Sequence, residues 1–520
     1  MIFGLKGLLW ILGLAVLFIA ASALAFRSWR RYALKARGKP GHALPRTGPA
    51  TALDELFDRL EGAHPGDNGL AGLFENADAF AARALSARSA GRSLDLMYYI
   101  WETDLTGWLL LRDIQAAADR GVRVRLLLDD VNVQGYDLEF LALTQHPNVE
   151  VRLFNPIRNR GHVLRRWLEI GLGMSRFNRR LHSKAWIADG RAAIVGGRNI
   201  GDTYFGASRY GAAGVNQRES RDADLLVVGP LVAEIETQFD TYWNMGLVLP
   251  ILALWPNFKI SQRHFRKRLA QRANAATARG FEARALAGRD ARAVLADRLH
   301  WTDTARVLAD PADKAYGRKN TPWMAEQVHA ILKGAAREVQ LITPYFVPGS
   351  AGLLALQDLL QRGVSVSLLT NALSASDNVF VHGAYRHYRV PLLKAGAKIF
   401  EFAPPARTRR QRDVLHAKVF VIDGQRAIVG SLNVDMRSAH TNTEMGILFE
   451  QPDLVAELTS IFARDAGPDQ AYALSLERGA PRWAVVRPGL PQVTRFEPEA
   501  NLLWRSISWI VGRLPIHSWL

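Results

Sequence analysis

Residues 181–199 read LHSKAWIADGRAAIVGGRN, and residues 415–433 read LHAKVFVIDGQRAIVGSLN. Both follow one formula: His-x-Lys, four residues, Asp, six residues, then Gly-(Gly/Ser)-x-Asn. The first copy supplies His182, Lys184, Asp189, Gly196, Gly197 and Asn199. The second supplies His416, Lys418, Asp423, Gly430, Ser431 and Asn433. The spacing between the copies is constant, since 416 − 182 and 433 − 199 both equal 234. One His-x-Lys arises easily by chance; two copies that agree over nineteen positions do not.

Each copy is an apolar run, an Asp-Gly pair and a second apolar run. That is a strong short-range signal for a β-hairpin, because Gly readily takes the positive φ of a tight turn. Asp189 and Asp423 fall in these turns, at the far end of the strand from the histidine, and are expected to be structural. His and Lys two apart on an extended segment share a face. The closing glycines let backbone come close to a neighbour. A face bearing an imidazole, an ammonium and an amide suits a tetrahedral oxyanion such as a phosphoryl group. Two such faces would place two histidines across one phosphorus, one to attack and one to move a proton.

The repeat extends beyond the motif. In the first half, LFENADAFAARALSARSA reads as helix, SLDLMYYIW as strand, TGWLLLRDIQAAADRG as helix, and VRVRLLLDD and VEVRLFNP as strands. TPWMAEQVHAILKGAA, VQLITPYFV, SAGLLALQDLLQRG, VSVSLLTNA and KIFEFAP repeat that order in the second half. Each half then runs through its hairpin to a closing strand, DADLLVVG or TEMGILFE, and a helix. The repeated unit is therefore a whole domain. Strand–helix–strand units imply a largely parallel sheet with helices on its faces.

At this point the doubled motif resembles the HKD signature of the phospholipase D superfamily, over most of residues 70–465. The context GGRNIGDTYFG, with YYIWETDLTG before it and DADLLVVGP after it, resembles the bacterial cardiolipin synthase branch. The fold class this implies is α/β. It comprises two pseudo-twofold-related phospholipase D-like domains, each a mixed sheet flanked by helices, plus an N-terminal transmembrane helix. The boundaries expected are an anchor at 1–26, a basic juxtamembrane linker at 27–70, domains at 71–247 and 321–466, a basic connector at 248–320 and a tail at 467–520.

The resemblance also implies a chemistry. One histidine forms a phosphohistidine and the other protonates the departing alkoxide, then deprotonates the acceptor. The family pattern favours His182 as nucleophile and His416 as acid/base, although the near-symmetric copies leave that choice open. Lys184, Lys418, Asn199 and Asn433 are expected on the phosphoryl oxygens. A carboxylate on each closing strand is expected to orient an imidazole. Glu444 fits in the second half, and Asp224 in the first, with Asp222 as the alternative. Ser431 is expected to donate to phosphate, and Gly197 to contact it by backbone alone. Tyr98, Tyr99, Asp104, Tyr345 and Arg437 are candidates for the mouth. This chemistry requires neither metal nor cofactor.

The 520 residues carry a net charge of +17, a pI near 10.2 and no cysteine. Disulfides and Cys-based zinc sites are thereby excluded. Such basicity suits a polyanion, either nucleic acid or an acidic membrane. Residues 7–26, GLLWILGLAVLFIAASALAF, are twenty positions without a charge, about 30 Å as a helix at ~1.5 Å per residue. Arg27, Arg30, Arg31, Lys35, Arg37 and Lys39 follow, which places the C-terminal side in the cytoplasm by the positive-inside rule. A signal peptide ending near Ala21-Ser22-Ala23 is the rival reading; the basic cluster resists export and favours an uncleaved anchor in a bacterial inner membrane.

Three further stretches mix basic and large apolar residues as an anionic lipid surface would require: 157–181, 248–320 and the tail from 501. A solvated basic helix, or packing on the core, is the alternative for each. The expected partners are phospholipid substrates and an anionic phospholipid membrane, without nucleic acid, and the oligomeric state is open. The expected reaction makes cardiolipin from phosphatidylglycerol and a second phospholipid. The alternatives are hydrolysis to phosphatidic acid, a phosphodiesterase acting on DNA, and a non-catalytic scaffold.

Overall fold

The computed structural model describes residues 2–210, 218–256, 261–406, 412–486 and 492–514. Two large sheets repeat one topology. Read across the first sheet, the strands are His300–Thr302, Asn68–Leu73, Asp224–Val228, Ala192–Gly196, Ala185–Ala188, Ser93–Tyr98, Arg123–Asp129, Val149–Phe154 and Val248–Pro250. The second runs Arg306–Ala309, Met445–Phe449, Arg426–Gly430, Val419–Ile422, Glu338–Ile342, Ser365–Asn371, Lys398–Phe402, Ala471–Glu477, Ala480–Ala484 and Val493–Thr494. In each, three central strands joined through helices are parallel and the motif hairpin adds antiparallel strands, so the sheets are mixed. Helices such as Asn76–Ser89 and Leu105–Asp119 bury their apolar residues against the layers.

The hairpin turns form as their sequence requires. Asp189 and Asp423 sit at φ of 55° and 56°, followed by Gly190 and Gly424 at 65° and 62°. Two successive positive φ values give the turn that matches strand twist. The Asp189 carboxylate accepts the amide N–H groups of Gly91, Arg92 and Ser93 at 2.7–2.9 Å. Asp423 accepts those of Ala336, Arg337 and Glu338. Each turn thus clamps the start of the neighbouring parallel strand, far from the histidines.

The segment expected as a linker at 27–70 is packed structure. One helix, Ile2–Ala36, continues through the apolar span into the basic stretch. Trp29 and Ala33 are buried against the first lobe. The Tyr32 hydroxyl donates to the Ala253 carbonyl at 2.7 Å, and the guanidiniums of Arg158 and Arg176 lie over the Tyr32 and Trp29 rings. Residues 38–43 then follow the lobe, where Gly41 and Ala43 donate to Asn244 and Asp240. Trp29, Tyr32 and Ala33 share one helical face, and burying it overrides the polar composition.

The expected connector, 248–320, is likewise built in. It supplies edge strands to the first sheet and, at Arg306–Ala309, the strand of the second sheet equivalent to Asn68–Leu73. Its helices Gln262–Ala273 and Ala276–Ala285 bury Phe265, Leu269 and Phe281. Arg266 and Arg268 there pair with Asp119 and Glu139 instead of facing lipid. Residues 257–260 of this stretch lie outside the described residues.

The tail extends the second sheet. Glu497 enters a buried network with Arg389, at 2.6 Å, and His382. The helix Leu502–Val511 packs on Val379–Ala395 at Gly383, where an added Cβ would meet Val511 at 2.8 Å. The tail helix is thus half packed, with Leu502, Leu503 and Ile510 outward; its last stretch, 515–520, lies outside the described residues.

Candidate active site

The two hairpins face each other across the pseudo-twofold axis, and the strands crossing between lobes build the site. Leu181 pairs with Thr443, and the His182 amide donates to the Thr443 carbonyl at 3.0 Å. Symmetrically, Val414–Leu415 pairs with Ser220–Arg221, and the His416 amide donates to the Arg221 carbonyl at 2.7 Å. Each histidine segment therefore binds the segment preceding the closing strand of the other lobe.

This crossing decides the imidazole partners. His182 Nδ1 lies 2.8 Å from Glu444, and His416 Nδ1 lies 2.6 Å from Asp222. Neither histidine takes its carboxylate from its own half. The expectation of Asp224 is corrected: Asp224 forms ion pairs with Arg83 at 2.8 Å and Arg198 at 3.4 Å, entirely within the first lobe. Strand register explains the choice. Gly196 pairs with Asp224 and Gly430 with Gly446, so the equivalent of Glu444 is Asp222, two residues earlier.

The Gly197/Ser431 difference follows from the same geometry. A Cβ on Gly197 would stand 2.2 Å from Asp222 Oδ1, so glycine there makes room for the carboxylate. Ser431 donates to Glu444 at 2.5 Å and accepts from the Met445 amide at 3.1 Å. Its only hydroxyl proton is held by the carboxylate, so Ser431 positions Glu444 rather than waiting for phosphate.

Both lysines fold back onto the carbonyl of their own motif histidine. Lys184 also lies 5.3 Å from the Tyr99 ring centroid. Asn199 accepts from the Ile100 amide and donates to the Tyr204 hydroxyl at 3.1 Å. Asn433 has a buried side-chain oxygen with no donor among the described residues. The two amides are therefore in unlike states, one tied down and one open.

Electrostatics also separate the halves. Burial lowers both histidines, reinforced at His182 by Lys184 and Lys418 and at His416 by Lys418. Asp222 opposes the effect at His416. Burial works to raise Asp222, but Lys418 and His416 overcome it and hold the carboxyl at about 2. Burial raises Glu444 despite Lys184 and Ser431. Burial takes Lys184 down to about 7 and lowers Lys418 as well. Two lysines and two carboxyl groups share a buried site, and a bound phosphodiester would add one negative charge between the lysines.

Among the mouth candidates, Tyr99 stands edge-on to His182, with ring centroids 4.9 Å apart. Arg437 donates to Asn178 at 2.9 Å and its charge acts on His182. The Tyr345 hydroxyl donates to Asp377 at 2.7 Å. Two candidates are corrected. Tyr98 is a core residue whose hydroxyl accepts from Arg83, and Asp104 caps the helix Leu105–Asp119 through the Gly107 amide. Sequence reasoning missed Tyr204, which stands edge-on to His416 at 5.3 Å. The signal was in GDTYFG, five residues beyond Asn199, where the chain must turn back over the site.

The sequence profile described as "Cardiolipin synthase, PLD-like domain" matches residues 86–243 and 328–466, which contain both motifs and both crossed carboxylates. The chain belongs to this family. It is 34% identical to cardiolipin synthase C of Escherichia coli (strain K12) over 486 residues, covering 88% of this chain and 97% of that protein. It is 28% identical to the cardiolipin synthase of Geobacillus kaustophilus (strain HTA426) over 395 residues, 76% of this chain and 65% of that one. The crystal structure of phosphatidylserine synthase from Haemophilus influenzae Rd KW20 shares the fold. Its TM-score is 0.53 at 14% identity, over 79% of this chain and 90% of that one. In this cardiolipin synthase family member, a carboxylate on Nδ1 fixes the orientation of each imidazole, and Lys418 Nζ lies 3.2 Å from His416 Nε2.

Proposed function

We propose that this protein is a membrane-anchored phosphatidyltransferase that joins phosphatidylglycerol and a second phospholipid into cardiolipin through a phosphohistidine. The observation that carries the reading is the pair of crossed dyads, His182–Glu444 and His416–Asp222, beside two buried lysines in a cardiolipin synthase family member. His182 is the nucleophile. Burial, with both lysines beside it, lowers the pKa of His182, while burial raises that of its partner Glu444. His416 is the acid/base, because the fully ionised Asp222 stabilises its imidazolium.

Lys184, Lys418 and Asn433 hold the phosphoryl oxygens, and Asn199 positions Tyr204 against His416. The apolar helix is an uncleaved anchor, and the two lobes lie on its basic, cytoplasmic side. The substrates are phospholipids; nucleic acid is not one.

Lipid mass spectrometry tests the reading. Purified full-length protein receives phosphatidylglycerol vesicles, with and without phosphatidylethanolamine, alongside His182→Ala and His416→Ala. Cardiolipin from the wild type alone is expected, and the lipid it requires identifies the donor. Phosphatidic acid without cardiolipin would make the protein a hydrolase. Turnover surviving in either variant would end the two-histidine mechanism.

A further inference from the structure

The stretch 157–181 contains a helix, Val163–Leu172, that differs from every helix flanking the sheets in having no buried residue. Its two faces are unlike. On the inner face, Glu169 accepts the Arg158 and Asn159 amides at 3.0 and 2.9 Å and pairs with Arg176, and Arg166 donates to Gln134. On the outer face, Val163, Leu164, Trp167 and Leu168 are 55–73% exposed, a large apolar patch with no cover among the described residues.

The position of this helix identifies what covers it. It packs against the anchor helix. Ser22, Phe26 and Trp29 of the anchor and Glu169, Leu172 and Arg176 line one cleft of about 230 Å³. The uncharged run ends at Phe26, so the bare face lies where the anchor leaves the hydrocarbon. The same level carries exposed Arg27, Arg30, Arg31 and Arg165, and residues 1–53 contain no acidic side chain. An apolar face flanked by cations, held beside an emerging span, fits the interfacial zone of an anionic leaflet.

We propose that Val163–Leu172 is a membrane-seated collar that inserts Leu164, Trp167 and Leu168 into the leaflet around the anchor's basic end and holds the active-site mouth against it. The proposal rests on the membrane reading of the anchor, not on the identity of the reaction. The link to the site is short and stiff. Arg176 is wedged between the Trp29 and Phe177 rings, and Asn155 holds the Arg176 and Arg179 carbonyls. Asn178 accepts from Arg437, and His182 follows ten residues after Leu172. A lipid headgroup entering from the leaflet beside the collar needs no extraction into water.

The absence of native cysteine makes the test direct, because a single introduced thiol is the only one to label. Leu164→Cys in the full-length chain, carrying a polarity-sensitive fluorophore, is reconstituted in phosphatidylglycerol/phosphatidylethanolamine vesicles. The reference is Asp303→Cys, just past the edge strand His300–Thr302, whose sheet spans roughly 38 Å from there to Val248–Pro250 at ~4.8 Å per strand. Blue-shifted emission quenched by shallow spin-labelled lipid is expected at 164 and not at 303.

A second variant, Leu164→Glu with Trp167→Glu, is expected to lose about tenfold in turnover on bilayer substrate for each apolar side chain withdrawn. It should keep its rate on a short-chain, monomeric phospholipid. Aqueous emission at 164 would overturn the proposal, as would equal losses on both substrates. Shielding that disappears on protein dilution would also overturn it, by assigning the face to a second copy. The fluorescence reads insertion whether or not the product is cardiolipin, so the two readings fail separately.

Discussion

Asp222 and Asp224 stand two residues apart on one closing strand, both buried, and isosteric substitution of each should give opposite phenotypes. In Asp222→Asn the side chain keeps its volume and loses its charge 2.6 Å from His416 Nδ1. A charge-assisted hydrogen bond contributes roughly 1.5–3 kcal/mol. The attraction between a carboxylate and the imidazolium formed in the transition state is about 4 kcal/mol at ~4 Å and an effective dielectric of ~20. At about 1.4 kcal/mol per tenfold, kcat should fall by roughly 10²–10³. The fold should hold, because the amide oxygen still accepts from Nδ1.

Asp224→Asn should do the reverse. It leaves Arg83 and Arg198, both fully buried, without their countercharge, and removing one member of a buried pair costs about 3–5 kcal/mol. At about 2–4 °C per kcal/mol, Tm should drop by roughly 10 °C. The protein that remains folded should turn over normally. The assay is kcat at a temperature where both variants are folded, with thermal unfolding measured alongside. If Asp222→Asn kept more than a tenth of wild-type kcat, or Asp224→Asn lost kcat without losing Tm, the crossed-dyad assignment would be wrong.

Further outcomes follow from the same geometry. Lys184 is charged below about 7 and neutral above it, because burial lowers its pKa, so kcat/KM for an anionic lipid should fall as pH rises through about 7. Lys184→Arg should move that limb well upward. The same shift means that the unfolded chain holds a proton the native state lacks between about 7 and ~10.4, so this lysine makes stability rise with pH across that window, as urea titrations at fixed pH should show. Asp189→Ala strips three amide donors of their acceptor and should cost roughly 3 kcal/mol of stability with kcat unchanged; a loss of kcat at unchanged Tm would give the turn aspartate a role in the site. Deleting residues 2–21 removes most of the span but spares the docked Trp29–Ala33 turn, so the protein should leave membranes only when salt is raised; release at low salt would deny the basic surface any part in attachment.

The doubled motif made the two-domain α/β fold legible because every local signal in it agrees: Asp-Gly turns, β-branched runs on either side, and a constant offset. The crossing was not legible. Glu444 reaches His182 across 262 residues and Asp222 reaches His416 across 194, and no local pattern encodes which lobe supplies which carboxylate. Alternation could not separate Asp222 from Asp224, since residues two apart share a face. Only the strand register separates them, because Gly196 pairs with Asp224 and Gly430 with Gly446, and 446 − 224 and 444 − 222 both equal 222. The docked end of the anchor was missed: Trp29, Tyr32 and Ala33 recur at helical spacing, but inside a stretch whose arginines made it look like a linker.

The crossing also bears on why the chain carries two unequal copies. A lobe alone would present a histidine with no carboxylate on Nδ1, so an oriented imidazole exists only where both lobes meet. Once each site half depends on the other lobe, the copies can diverge. One received Asp with a glycine making room, and settled its carboxyl near 2. The other received Glu steadied by Ser431, and keeps it raised. On the proposed assignment, the same fold then offers one imidazole to carry a proton and one to attack phosphorus. Such a division cannot arise in a symmetric pair, where any change to one dyad is a change to both.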